Sequence, residues 1–366
     1  MSPSRREFVL GLSGAALIGG CRRAEEKRTP TISGATPAPS APAPQAAATS
    51  PATPSAEEKA GGTTIPKRTL GKTGVMVSIM GLGGFHIGKP TDEAVAIRMI
   101  RDAIDAGVNF LDNCWDYHEG ESEKRMGKAL RDGYRQRAFL MTKVDGRTRK
   151  AATEQLDQSL QRLQTDVIDL VQIHEVIRDT DPKRSFAENG VVRALQDAKK
   201  AGKLRFIGFT GHKDPKFHLA MLRAADEHSF HFDTVQMPLN VLDAHYRSFE
   251  REVLPVLLQN EIGVLGMKPM ASGRIVENKV ASAEECLRYA MSLPTSVVIC
   301  GMDKPEVLEQ NLKIARNFVP YTANEREALL ARTAPQAAGG KYEAFKTTHE
   351  YDGTIQHPHW LEEARI

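Results

Sequence analysis

The chain reads as an α/β protein: a (β/α)8 TIM barrel with a short N-terminal β-hairpin, and three observations lead there. Eight apolar runs succeed one another between residues 77 and 302, and an amphipathic segment follows each of them. The runs are apolar along their length rather than alternating, as strands covered on both faces are. The alternating region occupies about 250 residues, the usual size of one such barrel.

The elements follow in order. "KRTLGKTGVMVS" alternates about a turn at Lys72–Gly74 and predicts the hairpin. The predicted barrel strands are "VSIMGLGG", "NFLDNC", "AFLMTKV", "VIDLVQIHEV", "FIGFTGH", "TVQMPLN", "GVLGMKP" and "SVVICGM". Helical spacing marks residues 91–106, 121–132, 150–163, 190–201, 214–227, 247–260, 281–293 and 305–318. Gly107 and Gly202 stand where helices should stop. An open doubly wound sheet is the fallback, but "GLGGFHIG" lacks the G-x-G-x-x-G spacing that would open it.

Outside the barrel, residues 1–28 predict an export signal. Arg5 and Arg6, followed by Phe8 and a short apolar stretch, resemble a twin-arginine signal, and "LIGGC" resembles a lipobox with Cys21 as the lipid-anchored residue. Residues 29–64, rich in Pro, Ala, Ser and Thr, predict a flexible linker. The domain is expected over 65–321, with a polar C-terminal tail over 322–366. The expected location is outside the cytoplasm, periplasmic or tethered at the cell envelope.

A formal charge of +3 with 26% charged residues argues against a nucleic-acid partner and favours a small molecule. Cys21, Cys114, Cys286 and Cys300 have neither zinc-ligand nor disulfide-framework spacing, so no metal is expected, and Cys114 and Cys300 are expected to be buried and inert.

In a barrel of this kind the chemistry sits at the C-terminal ends of the strands. Those ends carry Asp112, with Tyr117 in the loop after it, then Lys143, then His174. Taken singly, each has an ordinary role as a cap, packing residue, surface charge or satisfied histidine. Together they suit carbonyl chemistry. Lys143 is expected to favour the Tyr117 phenolate, Asp112 to hold Lys143, Tyr117 to act as general acid, and His174 to orient a carbonyl oxygen. Trp115 and His118 are expected to face the substrate pocket.

"LDNCWDYHEGESEKRMGKAL", "LMTKV" and "DLVQIHEV" resemble the aldo-keto reductase family's strand-end Asp, Tyr five residues on, G-x-S-E and lysine and histidine strands. The likeness runs from Ile65 through "ICGMDKPEVLEQN". It implies a (β/α)8 fold, a catalytic tetrad of Asp112, Tyr117, Lys143 and His174, and metal-free reduction of aldehydes or ketones, or oxidation of alcohols, with NADP(H) or NAD(H). It further implies cofactor contacts at Thr210, Gln236, Asn240, Gly301 and Asn311. Gly211 stands where the family commonly has asparagine, Met267 where many members stack a tyrosine, and Lys268 where serine is usual, placed to meet a pyrophosphate. Val307 replaces a frequent 2′-phosphate arginine and Asp303 adds negative charge, while Lys304 offers a compensating cation.

Two other functions compete: a non-catalytic nucleotide-binding sensor on the same barrel, and a metal-dependent hydrolase using Asp112, His174 and the histidines of "HPHW" at 357–360.

Overall fold

The computed structural model describes residues 64–90 and 92–362; the expected signal, Cys21 and nearly all of the expected linker lie outside them. Strands β1 (Lys67–Thr69) and β2 (Met76–Ser78) pair antiparallel, with Lys67 opposite Ser78, and form the expected hairpin. Eight more strands follow: β3 (Met80–Gly83), β4 (Phe110–Leu111), β5 (Phe139–Val144), β6 (Ile168–Ile173), β7 (Leu204–Thr210), β8 (Thr234–Pro238), β9 (Gly263–Met267) and β10 (Val297–Gly301). They pair parallel in chain order, and β10 closes on β3, so the barrel the sequence predicts is the one observed.

The hairpin plugs the N-terminal end. Ser296 donates to the Thr69 carbonyl, and Lys72 N–H donates to Glu261 O, beside the starts of β10 and β9. Leu70 and Val77 are buried with Phe110, Phe139, Met141, Leu170, Leu265, Val297 and Ile299, the packed barrel interior. Covering one leucine this way contributes about 1.5–3 kcal/mol. The opposite end is left for chemistry.

A second apolar layer joins the outer face of the sheet to the helices. Those helices begin on side-chain caps, Asp92, Thr148 and Asp214 among them, whose oxygens accept from otherwise orphaned backbone N–H groups. Gly107 and Gly202 lie one residue beyond the C-caps Ala106 and Ala201 with φ of 101° and 76°, the left-handed turn that stops a helix. The predicted helix over 247–260 is two pieces, Phe249–Glu252 and Leu254–Gln259. Pro255 explains the break, because its ring cannot follow a regular turn and it has no N–H to donate.

The C-terminal segment departs most from expectation. It opens with a helix, Ala323–Thr333, under a capping box of Thr322 and Glu325, and continues in turns to Leu361. Rather than a polar tail, it folds back and buries Glu343, Lys346 and Asp352.

Candidate active site

Asp112 follows β4, and Lys143 lies on β5 beside it. The Lys143 ammonium donates to Asp112 Oδ1 at 2.6 Å, to the Asn113 carbonyl at 2.7 Å and to the Tyr117 hydroxyl at 3.2 Å. Lys143 and Asp112 are only 1% and 3% exposed. Gly84, after β3, is needed here because a Cβ at that position would stand 2.3 Å from the Asp112 carbonyl.

The loop that carries Tyr117 turns through three successive left-handed residues, His118, Glu119 and Gly120. For the two that are not glycine this costs about 1–2 kcal/mol each, so the surroundings must hold it. The G-x-S-E stretch does so. Ser122 donates to the Gly84 carbonyl at 2.6 Å, while buried Glu123 accepts from Thr142 at 2.6 Å and pairs with Arg162 at 3.3 Å. These residues lock the start of the next helix against β3 and β5 and thereby fix the tyrosine.

The Lys143 ammonium, 3.2 Å away, favours the Tyr117 phenolate, but other influences outweigh it. Burial, followed by the Asp112 carboxylate, pushes the phenol well above its usual value. Asp112 lies closer to the ammonium than the phenol does and offsets part of its field. Tyr117 is therefore held as the neutral phenol.

His174, immediately after β6, meets a second set of groups. Its Nδ1 lies 2.8 Å from Asp145 Oδ1, 3.3 Å from Cys114 Sγ and 3.8 Å from Asp116 Oδ1. Its ring packs edge-on to Tyr117, with centroids 6.1 Å apart. Burial by itself would lower the imidazole, but Asp145 and Asp116 outweigh it and raise His174 above its ordinary value. Burial and then Asp145 push the Asp116 carboxyl up to about 7. Burial likewise raises the thiols, Cys300 to about 12 and Cys114 well above its usual value, consistent with inert cysteines.

Trp115 and His118 flank Tyr117. Trp115 Nε1 donates to Gln158 at 2.8 Å, and its ring meets Trp360 edge-on at 5.8 Å. His118 Nε2 lies 2.8 Å from the Phe85 carbonyl, with its ring against the Phe85 ring.

The residues proposed for a nucleotide divide into two groups. Gln236 in the middle of β8 and Asn311 on the last barrel helix are buried, and Gln236 Oε1 and Asn311 Nδ2 have no hydrogen-bond partner. Thr210 and Met267 end β7 and β9 and face each other, Oγ1 to Sδ at 4.0 Å. Gly301 ends β10, and Lys304 stands exposed at the start of the following helix. By contrast, Asn240 is already committed: its Oδ1 accepts from the Leu242 and Asp243 N–H groups, and its Nδ2 donates to Glu343. Gly211 cannot become asparagine on this backbone, because a Cβ would lie 2.4 Å from the Val176 carbonyl. Lys268, at a φ of 52°, extends over the rings of Phe345 and Tyr351, and burial lowers it to about 8.

Sequence reading missed four residues. Asp145 is two positions after Lys143, the strand spacing that returns to the same side, and this was the available signal. Fully buried Arg147 pairs with Asp181 and donates to the carbonyls of Asp145, His174 and Glu175, clamping the two strand ends together. Glu175 accepts from the N–H groups of Gly353 and Thr354 and from the Thr354 hydroxyl. Asp352 pairs with His212 at 2.9 Å and with Lys213 at 2.8 Å. The C-terminal segment is thus seated over the loops after β6, β7 and β8.

Comparisons with known proteins agree with this geometry. The profile of the Aldo/keto reductase family matches residues 79–284, more than half of the chain. The chain is 30% identical over 249 residues to aldo-keto reductase AFTS1 of Alternaria alternata, covering 57% of this chain and 66% of that protein, just under two thirds of its length. It is 31% identical over 229 residues to L-galactose dehydrogenase of Arabidopsis thaliana, covering 59% of this chain and 68% of that one. The holo form of aldo-keto reductase AKR11C1 from Bacillus halodurans shares the fold, with a TM-score of 0.62 and 22% identity over 76% of this chain and 99% of that one. The chain belongs to the aldo/keto reductase family.

Proposed function

We propose that the protein is an NAD(P)-dependent oxidoreductase that interconverts a small-molecule aldehyde or ketone and its alcohol, with Tyr117 as general acid and base. The observation that carries this reading is the contact of the Tyr117 hydroxyl with Lys143 at 3.2 Å, in a site where Asp112 holds the lysine and His174 packs against the tyrosine ring. A non-catalytic sensor would have no use for that contact. The relatives named as reductases and as a sugar dehydrogenase support the same reaction class in either direction.

A nicotinamide nucleotide fits the partnerless amide atoms of Gln236 and Asn311, with Thr210, Met267 and Gly301 beside them at the strand ends. When bound, it supplies or accepts the hydride at the carbonyl carbon. The chain's own residues manage the oxygen. Tyr117 gives its proton to the developing alkoxide, and Lys143 then faces a phenolate rather than a phenol. Asp112 keeps the ammonium in place through that change, and His174 holds the oxygen in line. Asn240 and Lys268 play no direct part in this arrangement, since both serve the C-terminal segment. Lys304 is the cation available to a 2′-phosphate, opposed by Asp303 nearby. The export signal and the Cys21 anchor complete the proposal and place the enzyme at the cell envelope; the twin-arginine-like Arg5–Arg6 pair supports that part.

Replacing Tyr117 with Phe tests the reading. Turnover of an aldehyde panel, followed through reduced-nicotinamide absorbance, should fall by about 10²–10⁴-fold while nucleotide binding is retained. Unchanged turnover in the variant would remove Tyr117 from the chemistry.

A further inference from the structure

We propose that Asp145 is a positioning residue that holds His174 with both ring nitrogens protonated, leaving Nε2–H as a charged donor to the substrate's carbonyl oxygen. The proposal rests on the carbonyl chemistry above and goes beyond it by assigning a role outside the four strand-end residues.

The argument begins with the hydrogen-bond inventory. A carboxylate only accepts, so the 2.8 Å contact between Asp145 Oδ1 and His174 Nδ1 requires a proton on Nδ1. A neutral imidazole has one N–H. With that N–H turned to Asp145, Nε2 would present a lone pair to an incoming carbonyl oxygen and repel it. Nε2 donates only from the imidazolium. Among the described residues no protein group bonds to Nε2, so that edge is free for a ligand.

Charge balance favours the same state. From the loop after β4, His174 faces Cys114, Asp116 and Tyr117; from the end of β5, Asp145, with Lys143 nearby; and on its own loop, Glu175, with His212 beyond. Lys143 is matched by Asp112, and the guanidinium of Arg147 is matched by Asp181. Among the described residues, the ion pair recorded for Asp116 and for Asp145 is the one with His174. Asp145 is fully buried, and its Oδ2 has no hydrogen-bond partner; Asp116 Oδ1 also has none and meets His174 only as an ion-pair neighbour at 3.8 Å. An uncompensated buried carboxylate is costly, and a proton on His174 relieves Asp145 directly, and Asp116, whose own carboxyl is pushed up to about 7, in part. The upward shift of His174 agrees with this account.

The rival arrangement places the single proton on Nε2 and lets Nδ1 accept from the Cys114 thiol at 3.3 Å or from a protonated Asp145. A thiol is a weak donor, and the carboxylate is the nearer neighbour. Another rival is a divalent cation, because the ligand atoms of Cys114, Asp116, Asp145 and His174 lie within 4.8 Å of one another.

Nitrogen–proton correlation NMR of the isotope-labelled full chain decides between these, with His174 assigned by the signals lost in His174→Gln. Two ring N–H signals for His174 are expected at about pH 7, and they should persist in Cys114→Ala. In Asp145→Asn, loss of the Nε2 proton should move down by about one pH unit or more, and the corresponding limb of the kcat profile should move with it. KM should change little. A lone Nε2–H with bare Nδ1 in the parent protein overturns the proposal, as does a stoichiometric metal that Asp145→Asn loses. The parent spectrum decides the matter even if Asp145→Asn fails to fold. It is also read independently of turnover, so a failure of this inference is distinct from a failure of the Tyr117 test.

Discussion

Two buried lysines in this molecule make the same primary contact. The ammonium of Lys143 lies 2.6 Å from Asp112 Oδ1, and that of Lys346 lies 2.6 Å from Asp243 Oδ1. Each also donates to a main-chain carbonyl at 2.7 Å, that of Asn113 or that of Tyr246. They differ in the third neighbour. Lys346 has the Glu343 carboxyl at 3.0 Å as a second ion-pair neighbour, so two acidic side chains and a carbonyl surround it. Lys143 has the Tyr117 hydroxyl, a group that can exchange a proton with a ligand. Burial and an ion pair therefore do not distinguish a reactive lysine from an architectural one. The chemistry of the last acceptor does.

Exchanging each lysine for methionine should separate the two roles. In Lys143→Met, turnover should fall by about 10²–10⁴-fold, measured as single-turnover hydride transfer. In Lys346→Met, the chemical step should survive in the folded fraction. Denaturant titration should instead show a loss of about 3–5 kcal/mol, because Asp243 and Glu343 are left buried without their cation. Equal effects of the two substitutions on the chemical step would erase the distinction.

A smaller effect sharpens the architectural side. Adding Asp243→Asn to Lys346→Met removes one stranded charge, so the double variant should recover part of the stability lost in the single one, read as a higher denaturation midpoint. No recovery would mean that Lys346 acts through packing against Phe249, over whose ring it also lies.

The smallest effect is on the docking of the C-terminal segment with pH. Hydrogen bonds from His212, Lys213 and His349 overcome burial and hold Asp352 down at about 2. Its folded value lies below its unfolded one, so its contribution is present above about pH 4 and disappears as pH falls through about 2. Glu343 runs the other way. Burial pushes it up to about 7, so its contribution weakens as pH rises from about 4.3 toward 7. Limited proteolysis of the segment should be slowest at about pH 4–5, and Glu343→Gln should flatten the neutral limb. A rate independent of pH would remove both carboxyls from the clasp.

The barrel was legible because local patterns specify it: apolar runs, amphipathic segments at helical spacing, and glycines just past helix ends. The strand-end residues were legible for the same reason, since Asp112, Lys143 and His174 each close a run that announces itself. What local pattern could not reveal is what meets those ends from far along the chain. His212 and Asp352 are 140 positions apart, and Glu175 and Gly353 are 178 apart. No periodicity links such partners, although the Thr322–Glu325 capping box did mark an ordered helix within the supposed tail. Asn240 shows what such a pattern leaves out. Its pattern suggested a ligand contact, and the folded chain uses it to hold Glu343.

The dependence of Glu175 on the C-terminal segment also sets an order in time. During synthesis, all eight barrel strands leave the ribosome before residues 353 and 354 do, and only those two residues supply hydrogen bonds to the Glu175 carboxylate among the described residues. A nascent barrel can close and still carry a bare carboxylate beside His174. This end of the barrel is finished last, so a chain released before residue 353 would lack the hydrogen bonds that hold Glu175.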